Sequence, residues 1–306
     1  MTKYIIRRFL QTIPVLLGVS ILVFSMIHLT PGDPVMLMLK DRGANAEEIE
    51  ELRNELGLND PLPVQFFSWI SNAVQGDLGT SIRSRRPVSE EIIEMVPSTI
   101  QLTLAAEIFA VLFGIPLGIL AAVVKKPWLQ TLITTFSLIG LSMPVFWSGL
   151  IFILFFSLKL DLLPIRGDGL DALVLPAVTL GLPALAVITR MTRSSVLEEL
   201  NQDYIRTARA KGVREFFVLI QHALKNAFIP VITIIGLQFG GMLSGAFITE
   251  TVFARPGLGR FAVNSIMARD FPQIQGTILL IAAVYVLVNL ITDLTYAVFD
   301  PRIRYE

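Results

Sequence analysis

The sequence predicts an all-α protein that crosses a membrane six times and has both termini on the cytoplasmic side. Hydrophobic residues make up 53% of the chain and charged residues 16%, and the mean hydropathy is +0.66. These values are typical of a polytopic membrane protein and not of a soluble domain of this length. Six apolar stretches alternate with polar segments, and the short basic segments fall on one side of the predicted membrane, which sets the orientation.

Composition also limits the function classes. The 25 basic and 25 acidic residues balance, so net charge does not indicate a nucleic-acid partner. Cysteine is absent, which excludes disulfides and thiolate chemistry and leaves the redox compartment open. The two histidines, His28 and His222, are too few to predict a histidine-based metal site.

The first predicted span covers Phe9–Leu29 and follows the basic residues Lys3, Arg7 and Arg8. Its length matches a bilayer, whereas a signal peptide has a shorter apolar core and a small-residue cleavage site. We therefore expect a retained span whose N terminus lies inside the cell.

Residues 31–97 form a polar insertion that is expected on the outer side as a small helical cap. Asn45 is a candidate N-cap for a helix through Leu56, and further short helices are expected around Val64–Val74 and Ile92–Val96. The acidic residues of the first helix indicate a solvated face, with a substrate-binding role as the alternative. A cap in this place can receive a protein that delivers substrate.

Five more spans are predicted at Thr99–Val123, Gln130–Leu158, Ala172–Thr189, Pro230–Thr249 and Gly276–Ala297. Pro144 lies inside the long third span and predicts a tilt, a kink or an interfacial end. Six spans place Lys125 and Lys126, a central basic segment, and the tail with Arg302 and Arg304 in the cytoplasm.

The central basic segment, residues 201–230, is patterned like two short helices that meet at Gly212. Ile205, Ala208 and Gly212 share a small, smooth face of the first helix. An apolar stripe is predicted on the second helix, comprising Phe216, Leu219, Ile220 and Ala223. A bend with little side-chain bulk predicts a docking element for another protein, although an ordinary basic loop is the simpler interpretation.

The run Tyr204-Ile205-Arg206-Thr207-Ala208-Arg209-Ala210-Lys211-Gly212, with His222-Ala223-Leu224-Lys225-Asn226-Ala227 after it, resembles the coupling loop of ABC-importer permeases. The match is to the branch that carries dipeptides, oligopeptides or nickel. Matching motifs elsewhere are Pro31-Gly32-Asp33-Pro34, Gly76-Asp77-Leu78-Gly79 with Ser81, Arg255-Pro256-Gly257-Leu258-Gly259, and Asp300-Pro301-Arg302. Arg206-Thr207-Ala208 replaces the generic Glu-Ala-Ala, and Lys225 replaces a later proline; both departures resemble the peptide branch.

The resemblance implies the type I permease fold, divided into residues 1–30, the cap 31–97 and a core 98–306 that contains the loop 201–230. It implies a multi-pass subunit of the bacterial inner membrane that takes up dipeptides or oligopeptides, with nickel or glutathione as alternatives. The implied partners are a second permease, two cytoplasmic ATP-binding subunits and an extracytoplasmic substrate-binding protein.

No covalent chemistry is expected of this chain, so it is predicted to be a permease and not an enzyme. Neither Gly-Lys-Ser nor Gly-Lys-Thr occurs, so a P-loop is missing and ATP and magnesium are expected in partner subunits, with no cofactor here. An ion-coupled secondary transporter or channel is the rival class, but it requires paired ionisable groups at mid-membrane and inverted repeats. A membrane enzyme would need a nucleophile and base, which the sequence does not reveal.

Two sets of site residues follow. The resemblance implies contacts with the ATPase from Tyr204, Arg206, Thr207, Ala208, Ala210 and Gly212. Polar residues in apolar spans indicate a translocation path, namely Gln238, Ser244 and, as a weaker candidate, Glu107. Asn289 and Asp293 lie four residues apart in the last span and are equally compatible with a polar clamp between helices. Glycine ridges at Gly114/Gly118, Gly236/Gly240 and Gly241/Gly245 indicate either packing within the chain or a subunit interface or pore lining.

Overall fold

The computed structural model describes residues 2–33, 35–36, 45–55, 57–167 and 169–299. Within these residues no β-strand occurs, and the fold is helical as predicted. The helices in chain order are α1 (Thr2–Leu29), α2 (Ala46–Glu55), α3 (Leu62–Val74), α4 (Val88–Val123), α5 (Pro127–Ser142), α6 (Val145–Phe152), α7 (Leu170–Leu200), α8 (Asp203–Ala210), α9 (Glu215–Phe217), α10 (Leu224–Val252), α11 (Leu258–Ala268) and α12 (Phe271–Phe299). The π-helical segments Ile153–Lys159 and Val218–Ala223 continue α6 and α9.

In the described part of the chain, five helices are long and apolar enough to cross a membrane, and the bent pair α5 and α6 makes a sixth span if it is counted as one. The pair is bent by 105° at Met143 and Pro144, where Pro144 adopts extended angles before α6. Of the predicted tilt, kink or interfacial end, the structure shows the kink, because proline lacks the backbone N–H that would continue the helix.

The insertion follows the sequence prediction except at its end. Asn45 Oδ1 accepts a 2.8 Å hydrogen bond from the Glu48 N–H and caps α2, as predicted, and α3 forms over Leu62–Val74. The prediction of a separate helix around Ile92–Val96 is wrong, because these residues belong to the first turns of α4. Pro97 does not end the helix; proline is tolerated in long membrane helices whose freed backbone groups find other partners.

The chain divides into two compact units, of which the first is built mainly on residues 100–255. The central element of this unit is α7. Of the most apolar stretch of α7, 72% is buried, whereas 17% to 39% of the matching stretch is buried in the other four spanning helices. A Cβ placed on Gly114 would lie 3.0 Å from Ile188 Cγ2, and one on Gly118 would lie 2.5 Å from Thr192 Cβ. The Gly114/Gly118 ridge is therefore a packing surface for α7 within the chain.

The second unit is built on residues 6–99 together with 256–287. Its buried polar core is a network in which Asp270 accepts hydrogen bonds from Ser81 Oγ (2.7 Å) and the Arg83 N–H (3.1 Å). Gln273 Nε2 donates to Ser81 Oγ at 3.1 Å and to Glu91 Oε2 at 2.6 Å. Since buried polar groups are costly unless they are bonded, this network fixes the turn around Ser81 against the start of α12.

Candidate functional site

The loop between α7 and α10 has the predicted shape of two short helices that meet at a glycine. Helix α8 ends as the Lys211 N–H donates to Thr207 O (3.1 Å) and the Val213 N–H to Ala208 O (3.3 Å). Gly212 between them has φ +77°, a left-handed conformation that costs other L-residues about 1–2 kcal/mol. The glycine therefore stops α8 and lets the chain turn into α9.

The interior of this loop is a small apolar cluster. Ile205, Val218 and Ala223 are fully buried, and Ala208 is 8% exposed in the same cluster. Val218 and Ala223 lie five residues apart, which is the i to i+5 spacing that brings side chains together on a π-helix. Ala208 was expected to contact the ATPase, but its side chain packs inside the loop and supports the outer surface.

The outer surface of the loop carries the other predicted coupling residues. Tyr204, Arg206, Thr207, Ala210 and Gly212 are all exposed. The apolar stripe predicted for the second helix is split, because the π-helix changes the register. Two of its members, Phe216 (64% exposed) and Ile220 (45%), face outward, and the neighbouring Phe217 (42%) is exposed with them.

Tyr204 connects the loop to two long helices. Its hydroxyl donates a hydrogen bond to Glu199 near the end of α7 and accepts one from Asn226 Nδ2 of α10 at 3.1 Å. Burial raises the pKa of the Tyr204 hydroxyl, and the hydrogen bond to Glu199 raises it further, so the group keeps its proton at physiological pH. Tyr204 therefore links α8 to both α7 and α10 by hydrogen bonds.

A salt bridge closes the turn at Gly212 from its solvent side. Arg209 Nε lies 2.8 Å from Glu215 Oε1 and its Nη2 lies 3.3 Å from Glu215 Oε2, a two-pronged arrangement. The pair joins α8 to α9, and its paired geometry fixes orientation better than a single contact does. The sequence interpretation missed this pair and the Tyr204 partners, although a charge six residues from Arg209 across a predicted bend was a usable signal.

The path candidate Gln238 lies on a face of α10 that is partly open. Gln238, Gly241 and Gly245 are spaced three and four residues apart and share one side of the helix. A Cβ placed on Gly241 or Gly245 meets nothing within 4 Å, whereas one on Gly236 would lie 2.3 Å from Thr292 Cγ2. Gly236 therefore packs inside the chain, and the Gly241/Gly245 ridge is free for another surface. Ser244 is helical, but its side chain, like that of Asp293, lies outside the described residues.

Glu107 is placed differently from the α10 candidates. It lies on α4 and is 8% exposed, and neither carboxylate oxygen has a hydrogen-bond partner. Its neighbours Ala106 and Ala110 pack in one cluster with α7 and with Met242 of α10. A buried carboxylate without a partner is costly in a span, so Glu107 remains a candidate for function.

Comparison with known families decides the class of protein. The model described as "Binding-protein-dependent transport system inner membrane component" matches residues 114–305, and the model described as "Binding-prot-dependent transport system membrane comp, N-term" matches residues 1–103. The chain belongs to the binding-protein-dependent transport permeases. It is therefore a multi-pass transport component of the bacterial inner membrane, as the sequence predicted.

Individual relatives of this permease agree with the family. It is 47% identical over 307 residues to the glutathione transport system permease protein GsiC of Escherichia coli (strain K12), with both chains fully covered. It is 42% identical over 338 residues to the dipeptide transport system permease protein DppB of the same strain, again with both fully covered. The predicted resemblance to the dipeptide and oligopeptide branch of ABC-importer permeases is confirmed.

Solved structures support the fold. A crystal structure of an amino acid ABC transporter with histidines has a TM-score of 0.55 and 18% identity, covering 70% of this permease and 94% of that chain. The MetNI methionine ABC transporter in an inward-facing conformation has a TM-score of 0.56 and 17% identity, covering 68% and 96%. At these identities the likeness shows the shared permease fold alone.

Proposed function

We propose that this permease takes up small peptides in an ATP-driven importer and that the loop at Gly212 is its contact with the ATPase. Two relatives carry the names of glutathione and dipeptide systems, and glutathione is itself a small peptide. The observation that carries the proposal is the loop geometry, in which an exposed surface is tied by Tyr204 to two long helices.

The coupling surface consists of Tyr204, Arg206, Thr207, Ala210 and Gly212, with Ala208 packed beneath it. Exposed small residues let a partner approach the backbone, and Arg206, whose side chain is 74% exposed, can form charge-assisted hydrogen bonds. The exposed rings of Phe216 and Phe217 add apolar area, since aromatic residues are enriched at interfaces.

Coupling works by rigid-body movement of this loop. ATP binding closes two ATPase subunits and draws the loops of two permease subunits together, and hydrolysis lets them separate. The Arg209–Glu215 pair keeps α8 and α9 as one body, and the Tyr204 hydroxyl passes its displacement to α7 and α10. The permease helices change between two packing arrangements, and ATP and magnesium act in the partner subunits.

The remaining assignments complete the importer. The loop lies in the cytoplasm, both termini lie on the same side, and the cap 31–97 faces outward to receive the substrate-binding protein. The open Gly241/Gly245 ridge and Gln238 of α10 face the path or the second permease subunit, with Ser244 and Glu107 as further path candidates.

Uptake by the reconstituted complex tests this function. Radiolabelled dipeptide and glutathione are supplied with the cognate binding protein, and uptake is compared with ATP hydrolysis. We expect Gly212→Trp to abolish coupled uptake while the subunit stays in the membrane; normal coupled uptake in this variant rejects the role. Gly212→Ala is the matched control, because it has the same left-handed backbone cost (φ +77°) without the bulk of the indole.

A further inference from the structure

Two arginines in the last third of α7 lack any acidic partner among the described residues. Arg190 is exposed and Arg193 is half-buried, and no ion pair or hydrogen bond engages either side chain in that part of the chain. The Arg193 Nε atom is buried without a hydrogen-bond partner. A buried cationic donor left in this state is costly, and it is therefore expected to meet an anion that the chain itself does not supply.

The two arginines line a small cavity between α4, α5 and α7. Its volume is about 40 Å³ and its wall is mostly apolar; the hydroxyl groups of Thr134 and Ser137 on the wall donate hydrogen bonds to backbone carbonyls of α5. Thr189 is 2% exposed and its Oγ1 has no hydrogen-bond partner. A water needs roughly 10–15 Å³ by this measure, so the cavity has room for a group the size of a carboxylate or part of a phosphate.

The depth of the cavity fits the headgroup region of a membrane. Helix α7 begins at Leu170, and the rise from there to Arg190 is about 30 Å, which equals the thickness of the hydrocarbon core. Arg190 and Arg193 thus reach the headgroup level on the side of the membrane from which α7 continues to Leu200 and into the loop. A substrate site is expected nearer the midplane.

An apolar groove lies beside the same cavity. Leu138 of α5 lines both, and the groove continues past Met143 and Pro144 to Phe146 and Trp147. It exists because α5 and α6 are bent by 105°, which opens a space at the bend. Two arginines at the headgroup level beside an apolar groove toward the bilayer interior match the shape of a phospholipid.

We propose that Arg190 and Arg193 bind the phosphate of an anionic phospholipid whose acyl chain lies in the groove at Pro144. Guanidinium groups bind phosphate oxygens in pairs, and basic pockets between spanning helices on the cytoplasmic side bind anionic headgroups. The assignment of this leaflet as cytoplasmic rests on the proposed function; the arginines, the cavity and the groove do not.

Native mass spectrometry of the complete purified complex measures lipid retention directly. The probes are phosphatidylglycerol, phosphatidylcholine with the same acyl chains, and inorganic phosphate. We expect retention of phosphatidylglycerol over phosphatidylcholine. The double variant Arg190→Gln/Arg193→Gln is expected to bind it about 30-fold more weakly, because each basic residue contributes about 1 kcal/mol and 1.4 kcal/mol is tenfold. The control Lys125→Gln/Lys126→Gln removes two exposed basic residues that do not line the cavity.

The outcomes are distinct. Equal weakening in both double variants indicates general surface attraction and overturns the site. Retention of inorganic phosphate by a complex that retains no phosphatidylglycerol overturns a lipid in favour of a free anion. A third outcome is that the arginine variants leave lipid retention unchanged and lower only the uptake of peptides with a free carboxylate. That result assigns the arginines to the substrate and also overturns the lipid site. Arg190→Lys/Arg193→Lys, which keeps both charges, should recover part of the binding and guards against a folding defect, monitored by co-purification of the ATPase.

The proposed function is tested by a separate measurement, the ATP hydrolysis that the binding protein stimulates. A complex with coupled hydrolysis that retains no phosphatidylglycerol contradicts only the lipid site. A complex that retains the lipid without coupled hydrolysis contradicts only the proposed function.

Discussion

Substitutions at Gly212 separate the backbone cost of the turn from its role as a contact. The residue has φ +77°, and a Cβ added there meets nothing within 4 Å. Gly212→Ala and Gly212→Trp should therefore cost the isolated subunit about the same, 1–2 kcal/mol, because both pay only for the left-handed backbone. Gly212→Asn should cost less, since asparagine adopts this conformation more readily.

Hydrogen exchange at the Val213 amide measures this cost. The amide donates to Ala208 O across the turn, so its exchange reports local opening of the loop. A cost of 1–2 kcal/mol predicts exchange about 5- to 30-fold faster in the alanine and tryptophan variants than in the parent. Coupled uptake should divide the same variants differently: asparagine and alanine retain much of it, and tryptophan loses it because the indole occupies the surface that a partner needs.

Two results would refute this reasoning. Exchange in the tryptophan variant of the isolated subunit that far exceeds the alanine value means that the space around Gly212 is not open. Equal uptake by the alanine and tryptophan variants means that no partner closes over the turn.

Other expected outcomes follow from the same structure. Gly118→Val should lower the thermal midpoint by overpacking against α7, at about 1–3 kcal/mol, while Gly245→Val should not; equal effects contradict the packing. Gln238→Cys, on this naturally cysteine-free chain, should react with an aqueous thiol reagent in the complex, and protection in every nucleotide state argues against a path. Glu107→Gln should raise the thermal midpoint, since an unpartnered carboxylate costs about 3 kcal/mol in a span; a lower midpoint reveals a partner. Tyr204→Phe should lower uptake per ATP hydrolysed, with about 1 kcal/mol lost from the hydrogen bonds it removes; unchanged coupling refutes its linking role.

Features that depend on one local interaction were predictable from sequence. Asn45 caps its helix because its side chain reaches a nearby backbone N–H, and Pro144 bends its span because proline lacks an N–H. Gly212 ends α8 for an equally local reason, its freedom to adopt a positive φ.

Features that depend on distant partners were not predictable from the sequence. A short helix around Ile92–Val96 and a separate span from Thr99 were predicted, yet both belong to the 36-residue helix α4. The register of the second loop helix changed because Val218 and Ala223 pack on the inside of a π-helical segment, which regular helical periodicity does not anticipate. Arg190 and Arg193 lay just beyond the predicted end of their span at Thr189, and only the structure brought them to one cavity.

A site-specific cross-link tests the central claim most directly. A single cysteine is placed at exposed Arg206, or as a control at exposed Gln75 in the other unit, and the assembled importer is treated with a short bifunctional reagent. We predict that Arg206→Cys joins the permease to an ATP-hydrolysing subunit and that Gln75→Cys does not. An assembled, ATP-hydrolysing complex in which position 206 never cross-links to that subunit would contradict the account.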